Sequence, residues 1–123
     1  VSATTDPKIS RMSIIVQGDE PILEQIIKQL LKLEEVMRVD HLQEDESCCS
    51  ELVFVKLRAE SGSTRDDIRQ LCGLYDAHIV ETSDNAMIVE LSDVPSRIDA
   101  FLDVVSNFEV IEMSRSGVTA IQK

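Results

Sequence analysis

The chain has 123 residues and a net charge of −11, and 43% of its residues are hydrophobic and 28% charged. This length suits one ordinary domain or two small ones, and the composition is typical of a folded globular protein. The acidic surface repels phosphate backbones and anionic lipid, and the sequence lacks the basic face and strand aromatics of RNA-binding modules. We therefore expect no nucleic-acid partner and no membrane partner, and no run of about 18 apolar residues predicts a membrane-spanning helix.

The sequence predicts three amphipathic helices, each with one apolar stripe at positions i, i+3, i+4 and i+7. Each predicted start carries side chains that can cap free N–H groups or a proline that favours a first turn. The starts are Asp19 ahead of Pro21, Ser63 or Thr64 with an Asp three residues later, and Asp93 ahead of Pro95. The stripes are Leu23, Ile26, Ile27 and Leu30, then Ile68, Leu71, Cys72 and Tyr75, then Ile98, Phe101, Leu102 and Val105.

Six segments rich in Val and Ile and bounded by turn residues are predicted strands. They span residues 11–17, 36–42, 52–57, 77–80, 86–91 and 110–113. Residues 51–114 therefore contain a complete β-α-β-β-α-β unit, which is the ferredoxin-like arrangement. The pattern of strand, Asp-x-Pro and helix also occurs near the N-terminus, so the sequence indicates an internal repeat.

These elements predict an α+β protein with two tandem ferredoxin-like modules, the first of which is incomplete at its N-terminus. Residues 1–43 are the partial first module, with the order strand, strand, helix, strand. Residues 44–50 form an acidic linker, and residues 51–123 form the second module. A sheet that lacks a strand and a helix leaves an edge and an apolar face uncovered, so we expect an upstream segment or a partner to complete it.

The stretches DPKISRMSI, GDEPILEQIIKQLLKLEEVMRV and RIDAFLDVVSNFEVIEMSRSGVTAI resemble the regulatory (small) subunit of acetohydroxyacid synthase, also called acetolactate synthase. The resemblance implies an N-terminal ACT domain, which is a ferredoxin-like amino-acid sensor, followed by a second ACT-like domain. It also implies a non-catalytic, cytoplasmic homodimer that joins its ACT sheets side by side. Such a subunit activates a separate catalytic subunit and confers feedback inhibition by valine or another branched-chain amino acid. Thiamine diphosphate, magnesium and FAD would belong to the catalytic subunit.

Carried onto this sequence, the resemblance implies that Val1 and Ser2 lie on the strand that borders the effector. Arg11 is the predicted interface or loop-ordering residue together with Met12, and an alternative is a loose surface pair between Arg11 and Asp6. Arg115 is a candidate contact to the catalytic subunit, and a plain strand end followed by a turn is the alternative.

Other readings of the sequence stay open. The chain could be an ACT module that regulates a different biosynthetic enzyme or a transcription factor, a small ferredoxin-like acyl-phosphate hydrolase, or an assembly scaffold. No nucleophile elbow or phosphate loop is present, which argues against catalysis. Cys48, Cys49 and Cys72 do not form a disulfide framework or a metal-ligand pattern, so we expect reduced thiols and no metal, with a Cys48–Cys49 redox switch as the alternative.

Overall fold

The structure is a computed structural model that describes the backbone of residues 1–123 and every side chain except that of Glu44. The chain divides into two compact units, Val1–Cys48 with Ala120–Lys123, and Cys49–Thr119. The elements in chain order are β1 (Ser2–Ala3), β2 (Ser10–Arg11), α1 (Glu20–Leu31), a 3₁₀ turn (Glu44–Glu46), β3 (Ser47–Arg58), α2 (Gly62–Tyr75), β4 (His78–Thr82), β5 (Ala86–Asp93), α3 (Pro95–Val105) and β6 (Val110–Gln122).

The second unit contains a four-stranded sheet with the order β4-β5-β3-β6. β5 pairs in antiparallel fashion with both β3 and β4. The N–H of Arg58 donates to the carbonyl of Glu109 (3.0 Å), and that of Leu52 donates to Ser116 Oγ (3.0 Å). β6 therefore runs opposite to β3, and the fold is the ferredoxin-like α+β arrangement that the sequence predicts.

The core of the second unit lies between one face of this sheet and the two helices. Side chains of β3 alternate between the faces, so Val53 and Val55 are fully buried whereas Phe54, between them, is 39% exposed. The helices contribute the predicted stripes: Ile68, Leu71 and Cys72 from α2, and Ile98, Phe101 and Val105 from α3. The helices thus cover one face of the sheet and leave the face that carries Phe54 partly exposed.

The first unit contains less regular structure than the sequence predicts. β1 and β2 form a two-residue antiparallel ribbon in which Ser2 lies opposite Arg11. The strand predicted over residues 11–17 ends at Arg11, and residues 36–42 form no strand. The predicted order of strand, strand, helix, strand is therefore wrong in its last element. A strand requires a hydrogen-bonded neighbour, and among the described residues neither segment has one.

The second correction concerns the predicted linker and the last strand. β3 already begins at Ser47, so the last four residues of the predicted linker, 47–50, are in a strand. β6 continues to Gln122 instead of ending at Met113, and it passes through Gly117, whose φ is +83°. Polar segments can form strands when a neighbouring strand supplies hydrogen bonds, because strand propensity depends strongly on context.

The helix starts are partly as predicted. Asp19 caps α1 by accepting a hydrogen bond from the N–H of Ile22 (3.3 Å). The predicted capping box of α2 is wrong, because the helix begins earlier and Ser61 Oγ accepts from the N–H of Thr64 (3.2 Å). The N-cap of α3 is Val94, although the carboxylate of Asp93 still accepts a hydrogen bond from its N–H (2.8 Å).

Replacement of Ser61 by alanine should lower the free energy of unfolding by about 1 kcal/mol, because an N–H in the first turn of α2 loses its acceptor. The measurement is urea unfolding followed by circular dichroism. Ser63→Ala is the matched control, since Ser63 lies inside the helix and does not cap it, and we expect a change below about 0.5 kcal/mol. A larger loss for Ser63→Ala than for Ser61→Ala would contradict this capping assignment.

Candidate functional site

The residues predicted to border an effector lie on the β1–β2 ribbon of the first unit. Val1 is 93% exposed, whereas Ser2 is half-buried, and its hydroxyl lies 3.5 Å from the carbonyl oxygen of Arg11. The ribbon therefore brings Ser2 and Arg11, two of the predicted site residues, directly opposite each other. Whether Val1 and Ser2 contact an effector stays a prediction.

A network of short-range hydrogen bonds orders the loop between β1 and β2. Thr4 Oγ1 donates to the carbonyls of Asp6 and Ile9 (both 2.9 Å), and it accepts from the N–H of Asp6 (3.2 Å). The carboxylate of Asp6 accepts from the N–H of Lys8 (3.0 Å). These are turn-forming contacts typical of Thr and Asp side chains. Side chains of the loop itself therefore order it, and the carboxylate of Asp6 stabilises the turn by accepting a hydrogen bond from Lys8.

The side chain of Arg11 donates a hydrogen bond to a residue that is distant in sequence. Its Nη2 donates to the carbonyl of Ala120 at 2.5 Å, within the first unit. Ala120 is 8% exposed, so this carbonyl belongs to a nearly buried residue near the end of β6. Met12, the neighbour of Arg11, is 68% exposed. The interface role of both residues stays a prediction, and the exposed side chain of Met12 is accessible for such a contact.

Arg115 is held by two carboxylates within the second unit. Its guanidinium forms an ion pair with Glu51 of β3, and its Nη2 donates to Asp99 Oδ1 on α3 at 2.8 Å. The Glu51 side chain is only 4% exposed, whereas that of Arg115 is 33% exposed. The hydrogen bond that Arg115 donates to Glu51, and then the one that it donates to Asp99, raise the pKa of Arg115 above its ordinary value. Arg115 therefore connects β6, β3 and α3, and any contact with a catalytic subunit would use its exposed part.

Sequence reasoning missed Glu51 and Asp99 as partners of Arg115. A signal for Glu51 was present, because it has the same alternation as the buried residues Val53 and Val55 and therefore faces the helices. A carboxylate at such a position needs a cation or several donors, since burial of an unpaired charge is costly. No comparable signal marks Asp99, because its proximity to Arg115 arises from how α3 packs on the sheet.

Replacement of Arg115 by alanine should lower the free energy of unfolding by about 1–3 kcal/mol, because it leaves a buried Glu51 carboxylate without its cation. Urea unfolding of both proteins at pH 7 measures this difference. Arg69→Ala is the control, because Arg69 pairs with Asp66 on an exposed helix surface (3.0 Å) and should cost less than about 1 kcal/mol. Equal losses for the two variants would refute a special structural role for Arg115.

The three cysteines differ in exposure. Cys48 is exposed, Cys49 is half-buried, and Cys72 is buried in the core of the second unit. Burial raises the pKa of the Cys72 thiol above its ordinary value. The thiolate is the reactive form, so Cys72 is a structural thiol of low reactivity. A redox role for Cys48 and Cys49 remains a prediction, because the exposure of the thiols does not test it.

Iodoacetamide at pH 8 should modify Cys48 in the folded protein well before Cys72. The reason is that Cys72 is both inaccessible and less deprotonated, since its pKa is raised by burial. Peptide mass spectrometry over a time course measures both sites in one sample, so Cys48 is the internal control. Addition of urea should abolish the difference, and equal rates in the folded protein would contradict the burial of Cys72.

The first unit has an apolar surface that its own residues leave accessible. Helix α1 has no buried residue, and its predicted stripe of Leu23, Ile26, Ile27 and Leu30 is only half-buried. Several large apolar side chains of the unit are at least half exposed: Met12, Ile14, Ile15, Ile22, Leu31, Leu33 and Met37. Large apolar side chains that stay exposed are candidates for contact with a partner. This unit therefore carries a candidate contact surface that includes Met12.

Other kinds of site are not found among the described side chains. No group of three or more His, Cys, Asp or Glu residues is placed to hold a metal ion. Within the part of the chain that the structure describes, no helix is long and apolar enough to cross a membrane. A candidate site is the β1–β2 ribbon together with the exposed apolar side chains of the first unit.

Two tandem α+β units, one of them with the complete ferredoxin-like order, define a class of proteins to which ACT-type regulatory modules belong. Comparison with family models is consistent with this class. A model described as an AHAS small subunit-like ACT domain matches residues 1–38. A model described as the small subunit of acetolactate synthase matches residues 50–123. The chain belongs to the family of acetolactate synthase small subunits.

Individual relatives agree with this assignment. The chain is 40% identical over 123 residues to a probable acetolactate synthase small subunit of Methanothermobacter thermautotrophicus, and it covers 73% of that protein. It is 36% identical over 124 residues to the small subunit of acetolactate synthase isozyme 3 of Escherichia coli, of which it covers 76%. In both alignments all of this chain is matched.

A solved structure supports the fold. The crystal structure of the acetolactate synthase small subunit from Thermotoga maritima matches 87% of this chain and 66% of its own chain. The TM-score is 0.76 and the sequence identity is 28%. The fold class predicted from the sequence is therefore confirmed, and the chain spans about two thirds of the length of this structural relative.

Proposed function

We propose that this chain is a non-catalytic regulatory subunit that activates the catalytic subunit of acetolactate synthase and makes it sensitive to feedback inhibition by valine or another branched-chain amino acid. The observation that carries the proposal is the similarity of the whole chain to small subunits of that enzyme. A small subunit requires a larger partner, so the catalytic subunit is the proposed partner. Thiamine diphosphate, magnesium and FAD are assigned to that partner, and no step proposed for this chain involves them.

The proposed effector site lies beside Val1 and Ser2 on β1. The N-terminal part of the chain matches an ACT domain, and the proposal is that two such domains join their sheets in a homodimer that binds the amino acid. The exposed apolar surface of the first unit, including Met12, supports association, because burial of such side chains stabilises an interface. We place the protein in the cytoplasm, where exposed thiols such as Cys48 stay reduced.

Regulation follows from a difference in effector affinity between two arrangements of the complex. An effector that binds one arrangement more tightly shifts the population toward it, by no more than its differential affinity. The catalytic subunit would be active in the arrangement that the small subunit favours without valine. The second unit, with Arg115 on β6, is the proposed contact with the catalytic subunit.

The deciding experiment mixes the native full-length protein, including any residues upstream of Val1, with its cognate catalytic subunit. Acetolactate formation should rise several-fold on mixing and fall when valine is added. In Ser2→Phe, the valine concentration that halves the rate should rise about tenfold, because a bulky ring fills the proposed site. Each rate is compared with the same variant's rate without valine. Thr5→Phe is the matched control, since Thr5 is an exposed residue of the adjacent loop, and its valine response should stay unchanged.

The proposal would fail if the native protein neither raised acetolactate formation nor co-purified with the catalytic subunit. Activation without any response to valine, leucine or isoleucine would leave the activating role and overturn the sensing role. Association with a different biosynthetic enzyme would favour the alternative reading of the chain as an ACT module for another partner.

A further inference from the structure

The C-terminal residues Ala120–Lys123 are held within the first unit by two other parts of the chain, the β1–β2 ribbon and the 3₁₀ turn. Arg11 Nη2 donates to the carbonyl of Ala120 (2.5 Å), and the N–H of Lys123 donates to the carbonyl of Glu46 (3.0 Å). The ammonium group of Lys123 also donates to the carbonyl of Asp45 (3.1 Å). Residues Ala120–Lys123 accordingly belong to the first unit, whereas β6 begins in the second unit at Val110.

Arg11 is the one side chain in this group that belongs to the β1–β2 ribbon. It lies opposite Ser2, and the Ser2 hydroxyl lies 3.5 Å from its carbonyl oxygen. A displacement of β1 therefore acts directly on the backbone of Arg11. Its guanidinium is half-buried and charged, and a hydrogen bond from a charged donor to a nearly buried carbonyl is stronger than a neutral surface one.

Arg38, the other arginine of the first unit, makes a local contact at the surface. Arg38 pairs with Asp40, two residues away, and its side chain is 82% exposed. Such a pair contributes little to structure. Arg11, in contrast, joins residues that are 109 positions apart in sequence. The two residues have the same charge and belong to the same unit, so Arg38 is a natural control for the role of Arg11.

We propose that Arg11 is a positioning residue that links the ribbon bordering the effector to the end of β6, so that effector binding changes how firmly Ala120–Lys123 are held. This inference rests on the proposed function for its effector. The two states are the guanidinium bound to the Ala120 carbonyl and the guanidinium released from it. β6 is one continuous strand that also carries Arg115, so a change of order at its end affects the strand proposed to contact the catalytic subunit.

The structural part of the inference is tested by hydrogen–deuterium exchange in the native full-length protein. Peptides that cover residues 118–123 should exchange about tenfold faster in Arg11→Gln than in the wild type, because the carbonyl of Ala120 loses its charged donor. Arg11→Lys, which keeps the charge but not the planar fork, should give an intermediate rate. Arg38→Gln should leave these peptides unchanged, and equal exchange in all four proteins would overturn the inference.

The regulatory part is tested by acetolactate formation with the cognate catalytic subunit. The valine concentration that halves the rate, measured against each protein's own valine-free rate, should rise about tenfold in Arg11→Gln and stay unchanged in Arg38→Gln. Should Arg11→Gln fail to fold by circular dichroism, Arg11→Lys carries both measurements. If exchange is faster but the valine response is unchanged, Arg11 holds the end of β6, and the proposed link between that contact and the effector is wrong.

Failure of the proposed function can be separated from failure of this inference. If the wild-type protein does not activate the enzyme, the proposed function is wrong, and the exchange measurement still decides whether Arg11 holds the end of β6. If the wild type activates and responds to valine but Arg11→Gln matches it in both assays, only the inference is wrong.

Discussion

The burial of one sheet face beneath α2 and α3 is the constraint on which the second unit depends. Val53 and Val55 of β3 are completely buried, and Ile98 and Phe101 of α3 belong to the same core cluster. The hydrophobic effect is roughly proportional to the apolar area removed from water, so this layer supplies most of the stability of the unit. Glu51 faces the same side of the sheet, and Arg115 is the cation that makes its burial tolerable.

The first unit buries much less apolar surface between its sheet and its helix than the second unit does. Its sheet consists of two-residue strands, and α1 buries none of its residues completely. The apolar side chains that remain exposed, such as Ile15 and Met37, make this unit the part of the molecule best suited to gain stability from a partner. A regulatory subunit benefits from this arrangement, because a unit with little stability of its own responds to ligands and neighbouring chains.

Arg11 and Arg115 both hold parts of β6, Arg115 from the middle of the strand and Arg11 through the carbonyl of Ala120 near its end. Arg115 is bound by Glu51 and Asp99 in the second unit, and Arg11 is bound to the carbonyl of Ala120 in the first. Arg115 uses two donors of one planar group, its Nε and its Nη2, which lysine could not do in the same geometry. β6 is one continuous strand that includes both Arg115 and Ala120, and it is the element on which the proposed regulation depends.

The sequence by itself determined the α+β class, the family, the positions of the three helices and the ferredoxin-like order of the second unit. It could do so because helical stripes and Val-rich segments such as the one around Val55 are local patterns that reflect one buried face. The tertiary structure alone decided that residues 12–17 and 36–42 form no strands, that β3 begins at Ser47, and that β6 extends to Gln122. It also decided that Arg11 contacts Ala120, because strand pairing and contacts across 109 residues depend on neighbours that no local pattern specifies.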